Sequence, residues 1–504
     1  MSIPKVVGIE QEYAIAMENQ RDFDPIELSF LIVNSYGHYS RTIWDYETEC
    51  PLMDARGFRR EGEDTTISAQ ANYSINNLLP NGARFYVDHA HPEFSTAECL
   101  SARDVVAFDK AGERILLSAM EKASTRLGRG KRVLVFKNNS DQRGNSFGTH
   151  ENYLVEQKTY ARLFPRYPES PDYLLKLLVP FFVSRQVICG AGKVGSENGA
   201  GKVDFQIAQR SDFFETVLGG QTTHTRPIIN TRDEPHADRN RFRRLHVIIG
   251  DGNMSEYAAY LKVGITQIVL RMMEDDALQL DLTLENPVRS MVEISHDTSC
   301  RKAVELKNGQ SLTAVQIQKE FAWRAADYIT RFHDDAEGKE IVRKWQQVLD
   351  ALETDPMQLK GRLDWVTKKW LLERRVGKKG LSWSDARVKR MDILYHDIRR
   401  DRGLYYVLEG EGQMERILSG DAEIQRFVEH APRDTRAYFR SECLARFRDH
   451  ISYANWDILT FDLGDNRDRK VPLQDPLKGT HAHVHALLEA SPTATKLLEN
   501  LVDH

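Results

Sequence analysis

The opening segment VVGIEQEYAI sets carboxylates at alternate positions of a strand-like stretch, and no other segment restricts the fold as much. Successive side chains of a β-strand point to opposite faces, so Gly8, Glu10 and Glu12 share one face while Val7, Ile9 and Gln11 share the other. Two carboxylates thus project side by side. Holding like charges that close is costly unless a cation neutralises them, and oxygen-rich sites suit Mg²⁺. The structural alternative is an exposed edge strand with solvated glutamates. Strand-like and helix-like segments are mixed from this point onward, which predicts an α+β or α/β catalytic domain rather than a bundle or a sandwich.

A second segment, NGARFYVDHAHPEFSTAEC, shifts the balance toward a metal reading. One short strand and its exit carry Arg84, Tyr86, Asp88, His89, His91, Glu93 and Glu98, a density of charge that few cores tolerate. Alternation sets Arg84, Tyr86 and Asp88 on one face, where a guanidinium, a phenol and a carboxylate converge. His89 and His91 invite a zinc reading, but no cysteine pair or third histidine stands at the customary spacing. Further on, the glycine-punctuated KNNSDQRGNSFGTHENYL delivers His150, Glu151 and Asn152 at its end. His150 is either a core histidine or a ligand to one of the metals, and the carboxylates elsewhere favour the ligand. Arg226, Arg232, Arg243, Arg244 and His246 then surround an apolar strand. They are either solvated surface groups or a place where anionic parts of nucleotide and substrate are held, since arginine forks suit phosphate and carboxylate.

The glycine-rich CGAGKVGSENGAGKV resembles a phosphate loop only superficially: Lys193 and Lys202 each precede Val, and the first loop glycine is replaced by Val187 or Ser196. No kinase HRD or DFG element is present.

With 504 residues, one large catalytic domain over 1–410 and a small C-terminal α/β domain over 415–504 are expected, divided near the glycine-rich LEGEGQ. Helices are predicted over 104–126, from the Thr313 to Gln316 capping pattern, and through a Lys- and Arg-rich stretch over 347–402 that reads as a solvated helical face. The net charge of −5 gives no global field for nucleic acid or an anionic membrane. Five scattered cysteines fit a reducing cytoplasm. The most apolar stretch, Tyr173 to Cys189, is interrupted by Lys176, Pro180 and Arg185 and reads as buried core rather than a membrane span.

Taken together, GIEQEY, NGARFYVDHAHPEFSTAEC, KNN with GTHENYL, SRQVICGAGKV, INTRDEPHAD and RRLHVIIGD resemble the Pup ligase and depupylase family, over about residues 5 to 480. The resemblance implies a glutamine-synthetase-like fold, a curved antiparallel sheet that cradles ATP and Mg²⁺ and is packed by helices. Residues 41 to 58, RTIWDYETECPLMDARGF, resemble an insertion typical of the depupylases, and the VDHAHPE spacing is theirs as well. The implied activity is hydrolysis of the isopeptide bond between Pup and a protein lysine, with deamidation of the Pup C-terminal glutamine as a companion reaction. The rival readings are a Pup ligase, an ATP-dependent carboxylate-amine ligase on a small amino acid, and a silent Pup-binding module. By the same resemblance Glu10, Glu12, Tyr86, Glu93, His150 and His246 hold the metals, Arg84, Thr96, Arg244 and Trp456 contact ATP, and Asp88 is catalytic. Arg226, by charge and position, is the candidate for the carboxylate of the Pup C-terminus.

Overall fold

The strand Val7–Glu12 (β1) lies inside a six-stranded antiparallel sheet and not at an edge. Its companions are Asn76–Leu78 (β2), Arg84–Asp88 (β3), His91–Ser95 (β4), Thr149–Glu156 (β5) and Phe242–Val247 (β6), in the spatial order β6-β5-β1-β4-β3-β2. This computed structural model describes residues 2–20, 22–37, 42–61, 68–332, 335–465 and 467–502. Arg41, the first residue of the expected insertion, lies outside the described residues.

Alternation in β1 holds as the sequence predicts. Val7, Ile9 and Gln11 are buried, whereas Gly8, Glu10 and Glu12 are half-buried on the opposite face. The apolar face packs on the long helix Ala102–Leu127, whose Val105, Phe108, Ile115 and Ala119 join the same core as Ile9, Phe85, Phe94 and Tyr153. The helix starts where the Ser101 hydroxyl accepts from the Asp104 amide at 3.0 Å and stops at Gly128, whose φ of 88° suits glycine. Close contact is possible because residue 112 has no side chain: a Cβ there would lie 2.5 Å from the Phe94 ring. Packing this tight makes Phe94→Ala cost about 3–5 kcal/mol.

The same face carries one buried ion pair. Glu151 turns away from the polar face and takes Arg185 at 2.7 and 2.8 Å, with Tyr153 donating to it at 2.6 Å. Arg185 belongs to Leu178–Cys189, a helix buried along its length, as expected for the most apolar stretch. The Thr313 to Gln316 capping pattern is also present, with reciprocal bonds of 2.8 and 3.1 Å at the start of helix Ala314–Phe332. No described helix is long and apolar enough to cross a membrane.

Two sequence readings need adjustment. The basic stretch 347–402 is helical but not a purely solvated face: Lys368 is fully buried, bonded to Asp392 at 2.7 Å and to His396 at 2.7 Å. Burial requires a counter-charge, and Asp392 supplies it from the following helix Ala386–Leu394. The expected division at 410–415 falls just after helix Leu404–Gly410. Helix Asp421–Glu429 still packs into the main core through Ile424 and Phe427, and a second core takes over from Tyr438. That second core surrounds the sheet of Ile451–Ala454, Ile458–Asp462 and Asp468–Pro472. Trp44 enters it from the N-terminal region, since Ile43–Trp44 adds a parallel strand beside Ile451–Ala454.

Candidate active site

Strand register assembles the polar face. Glu12 stands opposite Glu93, and Glu93 opposite Tyr86, which forms one row across β1, β4 and β3. A second row runs from Arg84 through Ser95 and Glu10 to His150, and Asn152 stands opposite both Gly8 and His246. Residues that are scattered over the sequence thus meet because antiparallel neighbours on one face come within contact distance.

Two donor clusters result. In one, ligand atoms of Glu10, His150 and His246 all lie within 4.8 Å of one another; in the other, those of Glu12, Asp88 and Glu93 do. His150 Nδ1 is 3.3 Å from Glu10, and the His150 and His246 rings meet edge to face with centroids 5.0 Å apart. Gly148 leaves the ground between the clusters open, because a Cβ at that position would come within 2.8 Å of Glu12 Oε1.

The electrostatics match a site built for positive charge. Burial, together with the charges of Asp88, Glu12 and Glu10, pushes the Glu93 carboxyl well above its usual range. Burial and the neighbouring Glu93 and Glu10 push the Tyr86 phenol up likewise. Burial opposes ionisation of Glu10, yet His150, His246 and Arg244 outweigh it and hold its carboxyl well below the ordinary value. Burial also opposes ionisation of Asp88, but His89 at 3.0 Å lowers its pKa, so the carboxylate is charged at neutral pH. Three carboxylates this close, one of them forced toward neutrality, together with a ring of oxygen and imidazole donors, fit divalent cations.

Next to the first cluster lies a cavity lined by Gly8, Thr96, Asn152, His236, Arg244 and Trp456, among others. The Thr96 hydroxyl accepts from the Ile9 amide at 3.0 Å, and Arg244 donates to Asn152 at 2.9 Å and to the Glu234 carbonyl at 2.6 Å. Trp456 closes one end from the C-terminal unit and meets Trp44 edge to face at 5.2 Å. Arg84 is placed differently from the other three proposed nucleotide contacts. Its guanidinium stacks 3.9 Å from the rings of both Trp44 and Tyr86 and bonds Asn76 and the Tyr46 hydroxyl, outside the cavity lining.

Arg226 sits beyond the second cluster, donating to the carbonyls of Ser146 and Thr222 at 2.8 Å each. Burial lowers its pKa against the opposing charges of Glu12 and Glu215. His91 lies 3.6 Å from Glu12 and against the Phe147 ring, while His89 is exposed beside Asp88; neither belongs to the two donor clusters.

Asn152 was not singled out as a site residue, although its side chain connects the site: its amide donates to Glu10 at 2.8 Å, and its oxygen takes Arg244 and stands 2.8 Å from His246 Nδ1. Period-two spacing from His150 was the available signal. Arg210, fully buried, bonds the Ile248 carbonyl and Ser146, and burial together with Arg226 lowers its pKa to about 10. No sequence pattern marked it.

The fold is glutamine-synthetase-like, the class that the solved Pup ligase structures share. The chain belongs to the Pup-ligase protein family, whose description matches residues 5–460. It is 44% identical to the depupylase of Acidothermus cellulolyticus over 99% of both chains. It is also 42% identical to the Pup deamidase/depupylase of Mycolicibacterium smegmatis, over 99% of this chain and 100% of that one. Among solved structures, the complex between prokaryotic ubiquitin-like protein Pup and its ligase PafA superposes with a TM-score of 0.79 at 32% identity, covering 96% of this chain and 91% of that one. The Pup ligase PafA in complex with ADP gives a TM-score of 0.73 at 34% identity, covering 86% and 96%.

Proposed function

We propose that the protein is a depupylase: it hydrolyses the isopeptide bond between the C-terminal side chain of Pup and a protein lysine, and deamidates a Pup that ends in glutamine. The observation that carries this reading is the ionised Asp88 carboxylate clustered with Glu12 and Glu93 on the polar face of the main sheet. The full-length identity to depupylases supports the direction of the reaction. The work is cytoplasmic, in keeping with five cysteines that are all unpaired.

Glu10, His150 and His246 form one set of metal donors, and Glu12, Glu93 and Tyr86 the other. Mg²⁺ held by these residues would supply positive charge that offsets the crowded carboxylates and would polarise phosphate. Arg244, Thr96 and Trp456 hold ATP in the adjoining cavity, and Arg84, clamped between aromatic rings, adds a fixed positive charge at its edge. Nucleotide acts as a cofactor and is not consumed at each turnover. Arg226 takes the free carboxylate of the Pup C-terminus and so orients the scissile amide toward Asp88. Asp88 then provides the carboxylate of the reaction, as nucleophile toward the amide carbonyl or as base toward water.

A preformed Pup-lysine conjugate with ATP should release free Pup and unmodified protein. The rival reading is a Pup ligase, favoured by the likeness to PafA structures. Efficient conjugation with little cleavage under the same conditions would establish it instead.

A further inference from the structure

The buried face of β1 carries Val7, Ile9 and one polar side chain, Gln11, next to Glu12 at the end of the strand. A polar group in that place has to be satisfied. The Gln11 side-chain oxygen accepts from the Thr149 hydroxyl at 2.8 Å, and its nitrogen donates to the Glu12 carbonyl at 2.5 Å. Thr149 in turn accepts from Asn139 Nδ2 at 2.9 Å. The Asn139 side chain also donates to the Phe147 carbonyl at 3.1 Å and accepts from the Gly252 amide at 2.6 Å, while its own amide donates to Gln209 Oε1 at 2.7 Å. Asn139, Thr149 and Gln11 are all buried, and a Cβ on Gly252 would lie 2.8 Å from Gln11 Oε1, so the chain of bonds is closely covered.

We propose that Asn139, Thr149 and Gln11 are positioning residues for the second donor cluster, acting through the backbone of Glu12 and Gly148; this rests on reading Glu12 as a metal donor. Glu10 and Glu12 share a face but not a support. Glu10 is in mid-strand, in register with His150 on one side and Ser95 on the other. Glu12 is in register with Glu93 alone, because the pairing of β1 with β5 stops at Gln11 and Thr149. Directly afterwards the chain leaves the main sheet, and Ala14–Met17 pairs with Val133–Phe136 instead. On its other side Glu12 is held by a bond from its amide to the Gly148 carbonyl at 3.1 Å, at the point where the loop 140–148 enters β5. Asn139 grips that point on both flanks of Gly148, at Phe147 and at Thr149. Through Gln11 the same bonds reach the Glu12 carbonyl, so both the amide and the carbonyl of Glu12 are fixed.

Asn139 is itself anchored. It ends the KNN segment, whose Lys137 is pinned to Asp109 at 2.5 Å and Glu113 at 2.9 Å on the long helix Ala102–Leu127. Mg²⁺ demands oxygen ligands at about 2.0–2.1 Å in near-octahedral geometry, so a small drift of the Glu12 carboxylate costs metal affinity before it costs the fold. Partners behind the ligands control that drift.

The Thr149 hydroxyl is the cleanest point to cut, since Asn139→Ala would also open a cavity. The full-length protein, with a non-hydrolysable ATP analogue bound, is titrated with Mn²⁺ by calorimetry, and conjugate cleavage is followed over a range of Mg²⁺ concentrations. Thr149→Val, which keeps the shape without the hydroxyl, and Gln11→Met should each bind one Mn²⁺ roughly tenfold more weakly while the other ion keeps its affinity. Their kcat should fall at low Mg²⁺ and recover as Mg²⁺ is raised, with KM for the conjugate unchanged. Thr149→Ser, which restores the hydroxyl, should bind Mn²⁺ as the wild type does. A lower melting temperature of Thr149→Val with unchanged Mn²⁺ affinity would mean a role in folding alone and would overturn the proposal, as would an equal loss of affinity in Thr149→Ser and Thr149→Val. A wild type that cleaves no conjugate would defeat the depupylase reading, whereas the Mn²⁺ comparison would still decide this one.

Discussion

Asp88 and Glu10 lie on one sheet face but are expected to fail in different ways. Asp88→Asn keeps the shape and removes the charge, so cleavage should fall by roughly a hundredfold or more while ATP affinity is preserved. Rate measurements with a Pup conjugate, beside a nucleotide titration, check this; retained activity would remove Asp88 from the chemistry. Glu10→Ala removes one donor from the cluster with His150 and His246 and should raise the Mg²⁺ concentration needed for ATP binding. Asn152→Ala leaves all these donors in place but frees Glu10, Arg244 and His246 from their common partner. It should weaken metal affinity by roughly ten- to a hundredfold, as loss of an orienting partner does. At this scale the sequence marked, wherever charge was unusual, residues that the sheet brings together. Glu10, Asp88, Glu93 and His150 stood out because few cores accept such groups. Asn152 and Gly148 did not, because an asparagine that connects ligands and a glycine that makes room for them look ordinary until the register is known. Glu151 shows the reverse case: a carboxylate beside a site histidine whose strand position turns it to the core and Arg185.

Between elements, the most informative contacts are those of the insertion and of Glu98. The sequence marks residues 41 to 58 only by their resemblance to an insertion. The structure instead gives it structural work: Ile43–Trp44 extends the C-terminal sheet, Trp44 is 1% exposed, and the Cys50 amide donates to Glu234, the partner of Arg244. A short apolar pair within a polar segment carries no signal of which distant strand it will join. Trp44→Ala should therefore destabilise the protein by about 3–5 kcal/mol. Tyr46→Phe, which removes a hydroxyl that accepts from both Arg84 and Asn76, should leave the melting temperature nearly unchanged and weaken nucleotide binding. Glu98 ties the exit of the main sheet to helix Ala437–Arg446 through Arg436 at 2.8 Å and Arg440 at 2.6 Å. Burial opposes its charge, but the two arginines hold its pKa at about 2 against an ordinary 4.5. A depressed carboxyl pKa gives stability that is complete above the unfolded value and is lost as pH falls through the folded one. The shift corresponds to roughly 3 kcal/mol. The gap in unfolding free energy between wild type and Glu98→Gln should then be flat above pH 4.5 and shrink steadily toward pH 2. Denaturant titrations across that range would show it, and a gap independent of pH would mean that the pair contributes by packing and not by charge.

For the molecule as a whole, the arrangement of the two units bears on what nucleotide does. The cavity beside Glu10 is floored by the main sheet and closed by Trp456 from the C-terminal unit, and Trp456 in turn rests on Trp44 of the insertion. A ligand bound there touches the main sheet and Trp456 of the C-terminal unit at once, so it can order the site without reacting. Coupling a carboxylate to an amine, by contrast, requires a phosphoryl group to leave the nucleotide, because the carboxylate must be activated before an amine displaces it. Hydrolysis of an amide has no such requirement. If the chain is a depupylase, a non-hydrolysable ATP analogue should therefore support cleavage of a Pup-lysine conjugate nearly as well as ATP, whereas omitting nucleotide should stop it. The measurement is release of free Pup from a purified conjugate with ATP, with the analogue and with neither, each at saturating Mg²⁺. Cleavage that needs cleavable ATP would tie the chemistry to phosphoryl transfer, and conjugation that outpaces cleavage would assign the site to the ligase direction.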